Sequence, residues 1–178
     1  MIVLAFDTET TGLIDNGTLP LDKQPECIEF AGTLVDLDSG EILNEFSTLI
    51  RSSRMPLPTV ITKITGIKDA DLADAPAFSA VAETIRAAIE SAPAVLAHNA
   101  SFDVEMVTQE FRRLGQTVTW PLILCTVEQS LFYSGFRLSL TALYELLFKE
   151  KFPEAHRAGG DVSALVRCAV EMRKRGDL

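Results

Sequence analysis

Residues 2–13 read IVLAFDTETTGL, and the rest of the predicted fold is built around this stretch. The apolar residues 2–6 are typical of a buried strand, and the acidic residues that follow indicate that its carboxyl end reaches a polar site. Alternate side chains leave opposite faces of a strand, so Asp7 and Glu9 share one face while Thr8 points to the other. Such a pair alone is more often a solvated strand end than a metal site. The positions of the other acidic residues must therefore decide between a solvated strand end and a metal site.

The remainder of the chain predicts a mixed sheet covered by helices. Strand-like segments at residues 27–37 and 41–50 flank a hairpin signal at residues 38–40, so the first three strands form an antiparallel meander. Two further strand-like segments, at residues 93–98 and 122–126, alternate with helices. The predicted helices lie near residues 76–92, 101–114, 126–133, 139–149 and 158–175. A meander followed by β-α units implies an α/β layer architecture.

The length and composition favour one cytoplasmic domain covering residues 1–178. With 178 residues, of which 47% are hydrophobic, the chain can close a single core. Its three cysteines are far apart and offer neither a disulfide framework nor a paired metal clamp, which fits a reducing cytoplasm. The sequence has neither a run long enough to cross a membrane nor the basic lead of a signal peptide. We therefore expect a cytoplasmic protein without a membrane partner.

Two further carboxylates lie on inward faces of predicted helices. Asp103 precedes three apolar positions by four, eight and eleven residues, and Asp161 lies one turn before Leu165. Helix N-termini also favour carboxylates through the dipole, so each residue alone could be a capping feature. Together with the pair on the first strand, however, they would repel one another unless cations intervene. All-oxygen ligation favours Mg²⁺ or Mn²⁺ over Zn²⁺, and two such ions could hold a phosphodiester.

The net charge of the chain is consistent with such a site. A formal charge of −9 argues against binding nucleic acid through a broadly basic surface. Any phosphate binding must therefore be local, and divalent cations held by clustered carboxylates can supply the positive charge.

Two histidines compete for the role of general base. His98 and Asp103 have the same spacing as His156 and Asp161, so spacing alone does not choose between them. His98 ends a predicted buried strand, where a structural, hydrogen-bonded histidine is the more common outcome. His156 follows a predicted loop from which it could reach a substrate, and an unperturbed pKa of about 6.5 suits a base at neutral pH.

Three motifs resemble those of a known enzyme family. FDTETTGL (6–13), AHNASFD (97–103) and HRAGGD (156–161) are similar in order and spacing to the exonuclease motifs of the DEDDh branch of the DnaQ-like superfamily. That superfamily includes the proofreading ε subunit of bacterial DNA polymerase III and ribonuclease T. The resemblance implies a ribonuclease H-like fold with a five-stranded mixed sheet. It also implies a 3′-5′ exonuclease that removes nucleoside 5′-monophosphates from single-stranded nucleic acid, with DNA favoured over RNA.

The resemblance further implies a role for each site residue. Asp7 would bridge two metal ions, Glu9 and Asp161 would complete the shell of one, and Asp103 would serve the other largely through water. His156 would act as the general base. The remaining implied residues are the substrate contacts Thr10, Gly12, Leu13, Asn99 and Phe102, with Leu13 as a wedge beside the last base, and the supporting residues Glu29 and His98. Thr65 stands where many family members carry histidine, which puts one contact to the terminal nucleotide in doubt.

Several alternatives stay open at the level of sequence. The expected partner is the 3′ end of a single DNA or RNA strand, and a DNA polymerase subunit is a further candidate. The alternatives in function are an exoribonuclease of the same family, a catalytically inactive nucleic-acid-binding module and a ribonuclease H-like endonuclease. The intact acids and His156 argue against the inactive module. His156 and the end-recognition stretch at residues 10–13 argue against the endonuclease.

Overall fold

Five strands form one mixed sheet in the computed structural model, which describes residues 1–15, 18–152 and 157–178. The strands are β1 (Ile2–Thr10), β2 (Cys27–Asp36), β3 (Glu41–Leu49), β4 (Ala94–Ala97) and β5 (Leu122–Cys125). Their spatial order is β3-β2-β1-β4-β5, in which β1 pairs antiparallel with β2 and parallel with β4. The predicted antiparallel meander followed by parallel strands is confirmed, and it places β1 at the centre of the sheet.

Helices flank the sheet in the described part of the chain. They are α1 (Thr59–Thr65), α2 (Asp69–Ala73), α3 (Phe78–Ser91), α4 (Ala100–Arg113), α5 (Thr126–Ser134), α6 (Leu140–Phe148), α7 (Ala158–Arg175) and a short 3₁₀ helix, Leu21–Lys23. The five predicted helices correspond to α3 through α7. The prediction missed the two short helices α1 and α2 and the 3₁₀ helix, because segments of 7, 5 and 3 residues are too short to show a helical period. None of the helices in the described ranges is long and apolar enough to cross a membrane.

Side-chain alternation along β1 divides the core into two layers. Leu4 and Phe6 pack in one layer with residues of α3 and α4, whereas Val3 and Ala5 pack in the other with residues of α7. Alternation continues past the apolar residues, because the strand itself extends to Thr10. The polar end of β1 therefore presents one set of side chains to α4 and another to α7.

The hairpin between β2 and β3 follows the sequence signal at residues 38–40. Gly40 has a φ of 79°, in the left-handed region that glycine adopts without strain. Its N–H donates to the carbonyl of Asp36 at 2.7 Å. This turn fixes the register of β3 on β2, and with it the outer half of the sheet.

Candidate active site

Three carboxylates meet at the carboxyl end of β1. Asp7 and Glu9 leave the face of the strand that carries α7, and Asp161 projects from the first turn of that helix. One carboxylate oxygen from each residue lies within 4.8 Å of the other two. Val162 packs in the same core layer as Val3, so the packing of α7 on the sheet carries Asp161 to the acids of β1. The structure thus brings three of the four predicted metal ligands into one cluster, hereafter the carboxylate cluster.

Asp103 reaches the same end of β1 from the opposite face. It lies in the first turn of α4 and is only 3% exposed. Its Oδ1 accepts hydrogen bonds from the Thr8 backbone N–H at 3.1 Å and from the Thr8 hydroxyl at 2.7 Å. Among the described residues, Asp103 stands outside the group of three that could share an ion. Thr8 nevertheless holds it next to the cluster, because Thr8 lies between Asp7 and Glu9 on the strand.

Burial and mutual repulsion raise the pKa values of these carboxyl groups. Burial is the largest cause for Asp7, whose pKa lies well above its usual value, and the charges of Asp103 and Glu9 raise it further. The pKa of Glu9 is raised to about 7 by burial and by the charges of Asp161 and Glu29. Burial also raises the pKa of Asp103 to about 7, although the two hydrogen bonds from Thr8 act to lower it. The negative charges gathered at the site therefore favour binding of protons or cations.

The donor set of the cluster fits a hard divalent cation. The group of three in the described part of the chain offers carboxylate oxygens only, without histidine or cysteine. Oxygen donors of this kind suit Mg²⁺ and Mn²⁺, whereas Zn²⁺ is more often bound by nitrogen and sulfur. A bound cation would also relieve the repulsion that raises the pKa values of Asp7 and Glu9.

Glu29 attaches the start of α7 to the sheet. It lies on β2 opposite Glu9 and is 3% exposed. Its carboxylate accepts from the Arg157 Nη2 at 2.8 Å, the Arg157 Nε at 3.1 Å and the Ala158 backbone N–H at 3.1 Å. These bonds fix the first turn of α7, from which Asp161 projects. Glu29 was among the predicted residues, whereas Arg157 was not, although Arg157 directly follows His156 in the third motif.

Of the two candidate histidines, the structure describes His98 and its hydrogen bonds. His98 is hydrogen-bonded at both ring nitrogens, Nδ1 with the Thr126 hydroxyl at 2.9 Å and Nε2 with the Leu138 carbonyl at 3.1 Å. A carbonyl oxygen only accepts, so Nε2 carries the proton and Nδ1 accepts from Thr126. Burial lowers the pKa of His98 to about 4, which keeps the ring neutral near pH 7. His156, the predicted general base, lies outside the described residues.

The turn after β1 places Leu13 in solvent. The Thr10 hydroxyl donates to the Gly12 carbonyl at 2.7 Å, and the Thr11 N–H donates to the Glu26 carbonyl at 2.9 Å. These bonds hold the turn against the start of β2. Leu13 is 86% exposed at the tip, so it is not a core leucine.

The other two predicted substrate contacts lie at the start of α4. Asn99 is the exposed residue that caps this helix, and it adopts a left-handed conformation with a φ of 73°. Phe102 is half-buried and packs against the core layer that α3 and α4 form on the sheet. Both residues are thus on the same first turn as Asp103.

Comparison with known proteins gives the family. The family model RNase_T, described as an exonuclease, matches residues 4–169. The chain is 34% identical over 149 residues to the DNA polymerase III subunit epsilon of Pasteurella multocida, covering 81% of this chain and 56% of that protein. It is 30% identical over 174 residues to the PolC-type DNA polymerase III of Caldanaerobacter subterraneus, covering 97% of this chain and 12% of that protein. The chain thus spans less than two thirds of the length of these relatives.

Solved structures show the same fold. The nuclease domain of 3′hExo, a DEDDh family member bound to rAMP, superimposes with a TM-score of 0.79 at 17% identity, covering 98% of this chain and 92% of that one. Exonuclease X in complex with 5′ overhanging duplex DNA superimposes with a TM-score of 0.68 at 26% identity, covering 98% and 93%. The predicted ribonuclease H-like fold is therefore confirmed. The family match over residues 4–169 establishes that the chain belongs to the RNase_T exonuclease family.

Proposed function

We propose that residues 1–178 form one exonuclease domain that hydrolyses the terminal phosphodiester bond at the 3′ end of single-stranded nucleic acid and releases nucleoside 5′-monophosphates. The observation that carries this proposal is the convergence of Asp7, Glu9 and Asp161 within 4.8 Å at the end of β1. Family membership supports it, because the matched model describes an exonuclease and covers nearly the whole chain.

The metal requirement of the proposed reaction follows from the donor set. Asp7, Glu9 and Asp161 would hold one divalent ion, Mg²⁺ or Mn²⁺, and Asp103 would support a second near Asp7. When bound, such ions polarise a phosphoryl oxygen and lower the pKa of a bound water.

The chain's own residues would supply the remaining functions. Glu29 and Arg157 fix the helix that carries Asp161, and Thr8 fixes Asp103. His156 would take the proton of the attacking water, a role that rests on the third sequence motif alone. The turn at residues 10–13 would hold the terminal nucleotide, with Leu13 beside its base and the side chains of Asn99 and Phe102 along the path of the strand.

DNA is the favoured substrate of the proposed enzyme, and a DNA polymerase subunit is its candidate partner. The relative from Pasteurella multocida is a subunit of DNA polymerase III, and Exonuclease X was solved with duplex DNA at 26% identity. The 3′hExo domain was solved with rAMP, but at 17% identity it informs the fold alone. RNA is therefore the alternative that the experiment must separate from DNA.

The test is digestion of matched 5′-labelled DNA and RNA single strands with Mg²⁺, with and without chelator. We expect a ladder that shortens from the 3′ end, faster for DNA, and no cleavage in excess chelator. Asp7→Asn should abolish the ladder, whereas Asp74→Asn, a change of the same kind at an exposed residue, should not. Internal cuts would indicate an endonuclease. Binding of strands without any shortening would indicate an inactive module.

A further inference from the structure

A cleft with a volume of about 420 Å³ opens beside Leu13. Its lining combines Leu13 and Gly12 with two basic side chains, Lys23 and Arg54, and with Met55. Thr11 and three prolines complete the lining, and none of the described residues that form it is acidic. In a chain with 25 acidic and 16 basic side chains, this cleft is a local reversal of charge.

The basic groups of the cleft are only partly neutralised. The Lys23 side chain is 64% exposed, and its Nζ lies 3.8 Å from the Asp22 carboxylate, which is itself 73% exposed. An ion pair between two exposed side chains is weak and screened by salt. Arg54 Nε lies 3.7 Å from the Glu26 carboxylate, but Glu26 also accepts from the Ser52 hydroxyl and the Ser53 N–H. These bonds from neutral donors leave the charge of Glu26 in place, so Arg54 is paired and Lys23 is the basic group that faces the cleft.

The wall that carries Lys23 is held in place from two sides. Arg113 of α4 donates its Nη2 to the carbonyls of Leu21, Gln24 and Pro25, at 3.2, 3.1 and 2.8 Å. The Nη2 of Arg54 donates to the Asp22 carbonyl at 2.7 Å. Both arginines bond to the backbone, so the 3₁₀ helix has a fixed position relative to α4, the helix that bears Asp103. The cleft is thus preformed relative to the candidate active site.

The cleft is also close to the carboxylate cluster along the chain. Leu13 is four residues from Glu9, so their Cα atoms are at most about 14 Å apart. A strand whose 3′ end lay at the cluster could therefore extend past Leu13 into the cleft. An exposed lysine beside an apolar contact is a common way to bind a backbone phosphate without reading sequence.

We propose that this cleft binds backbone phosphate of the nucleic-acid substrate, with Lys23 as the donor and Leu13 at its rim. The inference rests on the proposed exonuclease function and adds a second, metal-independent phosphate site to it. The phosphodiester oxygens could belong to the strand being degraded, upstream of its end. They could instead belong to the complementary strand of a duplex end, and the test separates these two sources.

The test is binding of fluorescently labelled DNA by Lys23→Ala over a series of salt concentrations, in an Asp7→Asn background that prevents degradation. Lys174→Ala is the matched control, since Lys174 is an exposed lysine 13 residues after Asp161 on α7, about 20 Å along the helix axis. We expect Lys23→Ala to weaken binding roughly two- to fivefold at low salt. The slope of log K against log salt should fall by about 0.7 to 0.9. Lys23→Glu should weaken binding further.

Comparison of single-stranded DNA with a duplex end shows which strand carries the phosphate that the cleft binds. If it belongs to the degraded strand, Lys23→Ala weakens binding of single strands and of duplex ends alike. If it belongs to the complementary strand, only the duplex is affected. Equal slopes for Lys23→Ala and Lys174→Ala on both substrates would overturn the inference. That outcome differs from failure of the proposed function, in which the unaltered chain would not shorten DNA at all.

Discussion

Arg157 donates two hydrogen bonds to the buried carboxylate of Glu29, from Nη2 at 2.8 Å and from Nε at 3.1 Å. This pair joins β2 to the start of α7 across 128 residues of chain. Charge-assisted bidentate bonds are among the strongest contacts that a guanidinium makes. The pair therefore fixes the helix that brings Asp161 to the carboxylate cluster.

Arg157→Gln should lower the affinity for the metal ion, and this effect should exceed its effect on the stability of the fold. Among the described residues, loss of the pair would leave the Ala158 N–H as the remaining donor to the buried Glu29 carboxylate, and the first turn of α7 would be less well fixed. Removing a group that orients metal ligands typically costs about 10 to 100-fold in affinity or activity. Mn²⁺ titration calorimetry measures the affinity, and Arg112→Gln, which breaks a more exposed pair with Glu105, is the control. Equal affinities for the two variants would contradict the positioning role.

Thr8→Val tests how Asp103 is held. The substitution keeps the backbone N–H that donates to Asp103 but removes the hydroxyl that donates at 2.7 Å. That hydrogen bond lowers the pKa of Asp103, so its loss should raise the pKa above the present value of about 7. We expect activity at limiting metal to fall more at pH 6.5 than at pH 9, since a proton on the metal-free carboxyl competes with the cation. The pH dependence of kcat measures this.

The control for Thr8→Val is Thr33→Val, a change of the same kind at a buried threonine of β2. Thr33→Val should leave the shape of the pH dependence of kcat unchanged. A uniform loss of activity at every pH for Thr8→Val would mean that the hydroxyl acts on the fold and not on the ionisation of Asp103.

Much of the fold and of the carboxylate cluster could be predicted from the sequence, and the features that could not be predicted have physical reasons. The helices α3, α4 and α7 show apolar periodicity and the strands show as short strand-like segments, while alternation along β1 places Asp7 and Glu9 on one face and Thr8 on the other. The Glu29–Arg157 pair was not accessible, because its partners are 128 residues apart and meet only through the packing of α7 on the sheet. The short helices α1 and α2 were missed because their order depends on tertiary contacts more than on local pattern.

The stability of the metal-free protein should fall as pH rises through 7. Glu9 has a folded-state pKa of about 7 against an ordinary value of 4.5. Between these values the folded protein holds a proton that the unfolded chain has lost, so the folded state gains stability at low pH and loses it as pH rises. We expect the Tm in chelator to fall by several degrees between pH 6 and pH 8, on the order of 1–2 kcal/mol.

Millimolar Mg²⁺ or Mn²⁺ should reverse this trend. A cation that binds only the folded state raises its stability, and it binds best when the carboxylates are ionised. Differential scanning fluorimetry across pH 5.5 to 8.5, with chelator and with metal, compares the two conditions. A Tm indifferent to both pH and metal would contradict the buried carboxylate cluster as a cation site.

Leu13→Ala should reduce binding of a strand end without lowering the Tm. The side chain is 86% exposed, so little apolar burial is lost when it is shortened, whereas a base that rests against it would lose that contact. Leu122→Ala is a matched control, because Leu122 is a 63% exposed leucine on the edge strand β5. Fluorescence anisotropy measures the affinity for a strand that carries its fluorophore at the 5′ end, so that the 3′ end is free of label. A drop in Tm with unchanged affinity would favour a packing role for Leu13.

The two histidines should respond differently to alanine. His98→Ala removes the partner of the fully buried Thr126 and of the Leu138 carbonyl. Leaving such groups unpaired typically costs about 1 to 3 kcal/mol of stability. A ring whose pKa is about 4 and whose two nitrogens are both engaged is also poorly suited to accept a proton at pH 7. His98→Ala should therefore lower the Tm and change turnover mainly through stability.

His156→Ala should instead slow turnover by at least roughly a hundredfold, because removal of a general base typically costs about 10² to 10⁴ in rate. We expect normal folding, metal binding and strand binding, since Arg157 keeps its bonds to Glu29 and the carboxylates are unchanged. Single-turnover cleavage of a 5′-labelled oligonucleotide across pH 6 to 9, with melts of both variants, makes the comparison. If His156→Ala cleaves at a near-normal rate, or if His98→Ala is the slower enzyme at equal stability, His156 is not the base.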